Sequence, residues 1–203
     1  MAGTEKKQQL KEKIGKAAMQ CFAKYGLEKT TLDDIGRAVG LNKASLYYYY
    51  KNKEDIFLDV ALHEGKTFVE DLQQQTVKKK GVDKRLLFYV QERMNYYKQV
   101  LNMHKVGAET LTRILPTFFK LYEGVLQQEE TFILSLLKEG IKQEEIKKTD
   151  TELLAKTLIN LSDALKHHQE QQSVLKQLDA VDYSEAVTQM KFIVQLIFNG
   201  LKT

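Results

Sequence analysis

Along the first quarter of the chain, apolar residues recur at spacings of three and four. Leu10, Ile14, Ala17, Ala18, Cys21 and Phe22 mark one face of an amphipathic helix over about 6–24, stopped at Gly26. Thr30-Thr31 followed by Asp33 and Asp34 is an N-cap signal for a short helix ending near Val39, where Gly40 breaks the pattern. Asn42 then caps a second short helix, Lys43 to Tyr49, and Asn52-Lys-Glu-Asp opens a longer one through Ile56, Val60 and Ala61 towards Leu72, ended by the Lys-Lys-Lys-Gly stretch at 78–81.

Beyond residue 82 the pattern is that of a helical bundle. Leu86, Leu87, Val90, Met94, Tyr97 and Leu101 mark one helix, and a shorter one is expected from His104 to Ile114. Pro116 suits the first turn of the next helix, which carries Phe119, Tyr122, Leu126, Ile133, Leu136 and Leu137. A Lys/Glu-rich connector at 142–150 precedes a helix with Leu154, Leu158, Leu161 and Leu165. The Gln/Glu stretch at 169–172, with His167-His168 beside it, reads as a solvated end, and Tyr183 to Leu201 reads as a last, strongly apolar helix. No strand pattern or internal repeat is evident. The expected fold class is all-α.

Composition agrees, with one Pro, no Trp and many Leu, Lys, Glu and Gln. The formal charge of +4 is concentrated at the start, where residues 1–60 hold eleven Lys/Arg against eight Asp/Glu. An excess this small is compatible with nucleic acid without demanding it. The single Cys21 excludes an intramolecular disulfide and sits on an apolar face as an inert thiol. Four scattered His without Cys partners make a zinc site improbable. The charged N-terminus lacks an apolar leader and no run approaches a membrane span, so a cytoplasmic address without membrane association is expected. There is no Gly-rich phosphate loop, nucleophile elbow or His-Glu-x-x-His spacing, so neither an enzyme nor a bound cofactor is expected.

The candidate chemistry lies at residues 30–53. Two short helices joined at a glycine turn can push one of them into a DNA major groove. The first must be small where the second crosses it, hence Gly36, and the turn needs positive φ, hence Gly40; Ile35, Val39, Leu41 and Leu46 close the corner. In Lys43-Ala-Ser-Leu-Tyr-Tyr-Tyr-Tyr-Lys51 only Leu46 and one or two tyrosines can face inward. The remaining phenols, hydroxyls and amines suit phosphate oxygens and thymine methyls.

The run from Thr30 to Ile56 resembles the DNA-binding domain of the TetR family of bacterial regulators, and the likeness covers about residues 8–60. Gly36 stands where the family has Ala, and Tyr47 to Tyr50 where it usually has Tyr-x-Tyr-Phe. The resemblance implies that Thr31 binds phosphate and that Lys43, Ala44 and Ser45 approach base edges. It also implies that Tyr47 and Tyr48 touch backbone or thymine and that Lys53 anchors on phosphate, with Leu46 and Tyr50 kept as core. It implies a three-helix helix-turn-helix head over 1–53 followed by a larger helical ligand-binding and dimerisation domain over 54–203. The partners expected from it are a double-stranded, palindromic DNA operator, a lipophilic small-molecule effector that relieves repression, and a second copy of the chain. Ala186, Val187, Met190, Ile193, Val194, Ile197 and Leu201, with the leucines of the preceding helix, supply the apolar stripe such a homodimer needs. Candidate pocket residues on the middle helices are Phe88, Arg93, Met94, Tyr97, Met103, His104, Phe119, Tyr122 and Asn160.

Overall fold

A computed structural model describes residues 2–103, 108–178 and 180–202, with no account of the side chains at 2–4, 100–103, 108, 109 and 111. The described residues form eight helices: α1 Ala2–Tyr25, α2 Leu32–Val39, α3 Lys43–Tyr49, α4 Lys53–Thr76, α5 Val82–Met103, α6 Ala108–Lys142, α7 Thr151–Leu175 and α8 Ser184–Leu201. The all-α expectation holds, and the only strand-like pairing among them is a bridge between Ile146 and Lys202.

The apolar stripe of α1 is buried as its spacing predicts, with Ile14, Ala18 and Phe22 against Ile35, Leu46, Ile56 and Phe57. Where α1 crosses α4 the approach is close, since a Cβ on Gly15 would lie 2.7 Å from Val60 Cγ2. This cluster continues through Leu58 and Ala61 to Tyr97, Ile114 and Tyr183, so α4 joins head to body. A second core gathers Leu86, Tyr89 and Met94 of α5, Ile133 and Leu137 of α6, Leu158 of α7, and Ala186, Met190, Val194 and Phe198 of α8.

Three sequence expectations are corrected. Pro116 lies inside the continuous α6, so no helix ends near 114 and none begins at the proline. A proline in a helix interior costs about 3 kcal/mol, but each buried apolar side chain on the stripe around it returns roughly 1.5–3 kcal/mol. Ile114 on one side, and Tyr122, Val125, Ile133, Leu136 and Leu137 on the other, are all buried. Second, α7 runs to Leu175 and carries Glu170 and Lys166 inward, where a solvated end was expected. Third, Ala186, Met190, Val194 and Leu158, assigned to a dimer stripe, are buried in this chain's own core. The large apolar side chains left outside on the last two helices are instead Leu153, 63% exposed, Leu175, 76%, Phe192, 62%, and Leu196, 56%.

Candidate nucleic-acid interface and effector cavity

The corner at α2 and α3 is built almost entirely by local rules. Thr31 caps α2: its hydroxyl accepts from the Asp34 amide at 3.2 Å and donates to Asp34 Oδ2 at 2.6 Å, while its own amide donates to the same oxygen at 2.9 Å. The Thr31 hydroxyl, then its amide, and then Arg37 hold the Asp34 carboxyl below its ordinary value, against a small opposing effect of burial. At the other end Gly40 takes φ 76°, a left-handed conformation that costs glycine nothing. The Leu41 amide then returns to the Gly36 carbonyl at 2.8 Å. A Cβ on Gly36 would lie 2.7 Å from the Leu41 carbonyl oxygen and 3.3 Å from Leu46 Cδ1, so this corner admits glycine alone without shifting.

Asn42 caps α3 by accepting from the Ser45 amide at 2.8 Å, and Asn52 caps α4 by accepting from the Asp55 amide at 2.7 Å. Leu46 is fully buried and Tyr50 nearly so, its hydroxyl donating to Asp59. Tyr49 packs partly buried against the same core, and the remaining side chains of α3 lie towards the outside. Tyr47 is 51% and Tyr48 73% exposed; Lys43 and Ala44 are exposed and Ser45 is half-buried beside them. Lys43 is 3.5 Å from Asp33 in a solvated ion pair that a phosphate could replace. Lys53 turns back to the loop between α1 and α2, donating to the carbonyls of Glu28 and Thr30, the latter at 2.8 Å. Thr31, Lys43, Ala44, Ser45, Tyr47 and Tyr48 thus share one outer rim, and Lys53 clamps the loop behind Thr31. Sequence reading missed Lys7, whose ammonium lies 5.5 Å from the Tyr48 ring centroid and brings the start of α1 beside α3. Its signal was the Lys6-Lys7 pair ahead of the first apolar stripe.

In the body, α4, α5, α6 and α7 enclose a cavity of about 50 Å³ whose wall includes Ala61, Gly65, Tyr96, Tyr97, Phe118, Tyr122, Lys166 and Glu170. Of the predicted pocket residues, Tyr97 and Tyr122 meet here. Phe119 is not part of this wall; its ring lies 4.5 Å from that of His167 and 5.1 Å from the Lys166 ammonium. Phe88 and Met94 pack in the second core and Asn160 is exposed, so these three lie away from the cavity. His104 and the Met103 side chain lie outside the described residues.

Arg93 sits behind the cavity in a buried polar network. Its Nε donates to Glu129 Oε1 at 2.8 Å, its Nη1 to Ser162 at 2.9 Å and its Nη2 to Asp163 at 2.7 Å, while the Tyr89 hydroxyl also donates to Glu129 Oε1 at 3.0 Å. Burial alone would favour loss of the guanidinium proton, but Glu129, Tyr97 and Asp163 reverse that and hold it charged. Nearer the cavity, Glu170 accepts from Tyr183 at 2.9 Å and pairs with His167 Nδ1 at 2.8 Å. Burial pushes the Glu170 carboxyl up, yet His167, Lys166 and Tyr183 together hold it below its ordinary value. Lys166 and Glu170 were missed; their signal was polar residues at 162, 166 and 170 continuing the inward line from Leu158.

The start of α6 links cavity and head. Ile114 and Leu115 line the cavity, whereas Thr110 donates to Glu28 at 3.2 Å and Arg113 to Glu54 at 2.9 Å. No described helix is long and apolar enough to cross a membrane, and no described cluster of His, Cys, Asp and Glu could hold a metal.

A capped two-helix corner with an outward polar helix, carried on an all-helical body, defines a helix-turn-helix transcriptional regulator. Residues 14–60 match the family of bacterial regulatory proteins known as the tetR family. It is 28% identical over 162 residues to the HTH-type transcriptional regulator YhgD of Bacillus subtilis, across 76% of this chain and 81% of that protein. Over 48 residues it is 50% identical to IcaR of Staphylococcus epidermidis, the negative transcriptional regulator of the biofilm operon icaADBC; that match covers 24% of this chain and 26% of IcaR. Among solved structures, a transcriptional regulator from Cytophaga hutchinsonii superposes with TM-score 0.78 at 26% identity over 95% of this chain and 98% of its own. A TetR-family regulator from Pectobacterium atrosepticum, 13% identical, superposes at TM-score 0.73 over 98% and 97%, a likeness of fold alone.

Proposed function

We propose that the chain is a repressor that binds a palindromic DNA operator as a homodimer and leaves it when a small, mainly apolar ligand enters the body. The observation that carries this reading is the outer rim of α3, where Lys43, Tyr47 and Tyr48 stand in water on a corner fixed by two side-chain caps and Gly40. In this reading residues 1–53 are the DNA-reading unit and 54–203 the ligand-binding and dimerisation unit, working in the cytoplasm where the DNA is. Lys43, Ala44 and Ser45 meet base edges, Tyr47 and Tyr48 meet backbone or thymine methyls, and Lys53 and the capped start of α2 at Thr31 meet phosphates.

Pairing of two copies is supported by Leu153, Phe192 and Leu196, large apolar side chains left in water on the last two helices. Repression, as opposed to activation, is supported by the IcaR relative, which is a negative regulator. Relief by ligand is supported by the α6 link, since anything that parts Ile114 and Leu115 from the aromatic wall also pulls on Glu28 and Glu54. The cavity, about 50 Å³, is much smaller than a typical ligand pocket, so a ligand acts by favouring an enlarged form of the body.

Selection of bound duplexes from a random pool by the purified chain tests this. It should return an inverted repeat with half-site centres about 10 base pairs apart or a multiple of that. Lys43→Ala should return an altered consensus. A pool that stays random, or a single unrepeated site, would contradict the reading.

A further inference from the structure

The cavity wall is aromatic and aliphatic except at Lys166, Glu170 and the tyrosine hydroxyls, and these polar groups are not equally satisfied. Glu170 has a partner on each oxygen, Tyr183 on Oε1 and His167 on Oε2. Lys166 is 2% exposed, and its ammonium is 3.6 Å from Glu170 Oε1, beyond a good hydrogen bond, and otherwise faces the rings of Tyr97 at 4.3 Å and Phe119 at 5.1 Å. The Tyr96 hydroxyl is buried with no hydrogen-bond partner among the described residues, its ring stacked on Phe68 at 3.9 Å. Both under-satisfied groups can therefore donate, and one of them, Lys166, is a cation that can do nothing else.

Resting on the reading of this cavity as the effector site, we propose that its ligand is an apolar monoanion, a molecule with one carboxylate and a hydrocarbon or aromatic body. The carboxylate is received by Lys166 with the Tyr96 hydroxyl as second donor, and the body lies among Ala61, Gly65, Phe118 and Tyr122. A buried ammonium without a full set of acceptors is held at a desolvation cost that an incoming carboxylate offsets. A cationic ligand gains no such pairing. Lys166 already faces the Tyr97 ring and repels a second cation, and each Glu170 oxygen already has a partner. A neutral alcohol would recover the apolar contacts and one weaker hydrogen bond.

Calorimetric titration of the full chain with two matched series tests this: benzoate, benzyl alcohol and benzylammonium, then decanoate, decanol and decylammonium. In at least one series the carboxylate should bind about tenfold or more tighter than its alcohol, the ratio expected of a charge-assisted hydrogen bond. Lys166→Met should remove that gap while alcohol binding persists, and Lys166→Arg should keep most of it. Tyr96→Phe deletes a hydroxyl with no hydrogen-bond partner among the described residues, so it should fold normally and still weaken the carboxylate a few-fold. Equal affinity for carboxylate and alcohol, or an undiminished gap in both Lys166→Met and Tyr96→Phe, would overturn the anion assignment and leave an apolar effector cavity standing. Tightest binding by the ammonium would overturn it in favour of a cation cage. Binding of none of the six would overturn the effector cavity itself, and this proposal with it.

Discussion

In the head, the side-chain caps that shape the corner act within four residues of their own position: Thr31 on Asp34, Asn42 on Ser45, Asn52 on Asp55. In the body, polar groups are buried and act across long stretches of chain, Arg93 of α5 on Glu129 of α6 and on Ser162 and Asp163 of α7. The head thus presents a fixed surface to water, and its stability derives from caps and close packing. The body holds a charged network beside a small cavity, an arrangement whose energy depends on three helices keeping their relative positions. A reading surface needs the first property, and a part that changes shape on binding a ligand needs the second.

The most severe way to break this contrast is Arg93→Met. With Glu129 left buried and unpaired, urea unfolding should show a loss of about 3–5 kcal/mol. Adding Glu129→Leu should recover a large part of it, because it removes the fully buried carboxylate and leaves only Asp163, 17% exposed at its side chain, without the guanidinium. If the double variant were as unstable as the single, the network would not be the source of the loss.

Glycines sharpen the comparison next. Gly36→Ala gains up to about 1 kcal/mol in helix propensity but drives a Cβ against the Leu41 carbonyl at 2.7 Å. A net loss of about 1–3 kcal/mol is expected, with weakened duplex binding. Gly124, exposed in α6 with nothing within 4 Å of an added Cβ, should give the opposite sign, a gain of about 0.5–1 kcal/mol for Gly124→Ala. Thermal or urea unfolding of both variants measures the difference.

Lys53 separates scaffold from contact. Lys53→Met removes its bonds to Glu28 and Thr30 and should lower stability slightly. The slope of log affinity for a duplex against log salt should also fall by about one unit. Reduced stability with an unchanged slope would make Lys53 a clamp of the α1–α2 loop and nothing more.

The smallest effect is at acid pH. Because the folded protein holds the Glu170 carboxyl below its ordinary 4.5, it contributes stability that is fully present above that value. That contribution is lost as pH falls through the lower folded value. Glu170→Gln should therefore flatten the acid limb of stability against pH below about 5; an unaltered limb would show that the His167 and Lys166 contacts do not persist in solution.

The contrast also governs what could be read from the chain alone. Gly40 and the caps at Thr31, Asn42 and Asn52 were legible because the residues that cause each feature are its sequence neighbours. Glu170 was taken for a solvated end because glutamines surround it, and only Tyr183 and Lys166, brought in by the fold, make its burial tolerable. Pro116 was taken for a helix start because a proline's local preference is strong, and tertiary burial along α6 outweighs it. Asn160, Phe88 and Met94 were placed at a pocket by residue type, which says neither which face of a helix looks inward nor which of two cores a buried side chain joins.

Site-specific photocrosslinking addresses the central claim most directly, with benzoylphenylalanine installed at Tyr48 on α3 or at Leu121, 46% exposed on α6, in the presence of a duplex selected by the chain. Crosslinking to DNA from position 48 and none from position 121 is the predicted result. A duplex captured from position 121 while position 48 stays silent would contradict the assignment of α3 as the surface that reads DNA.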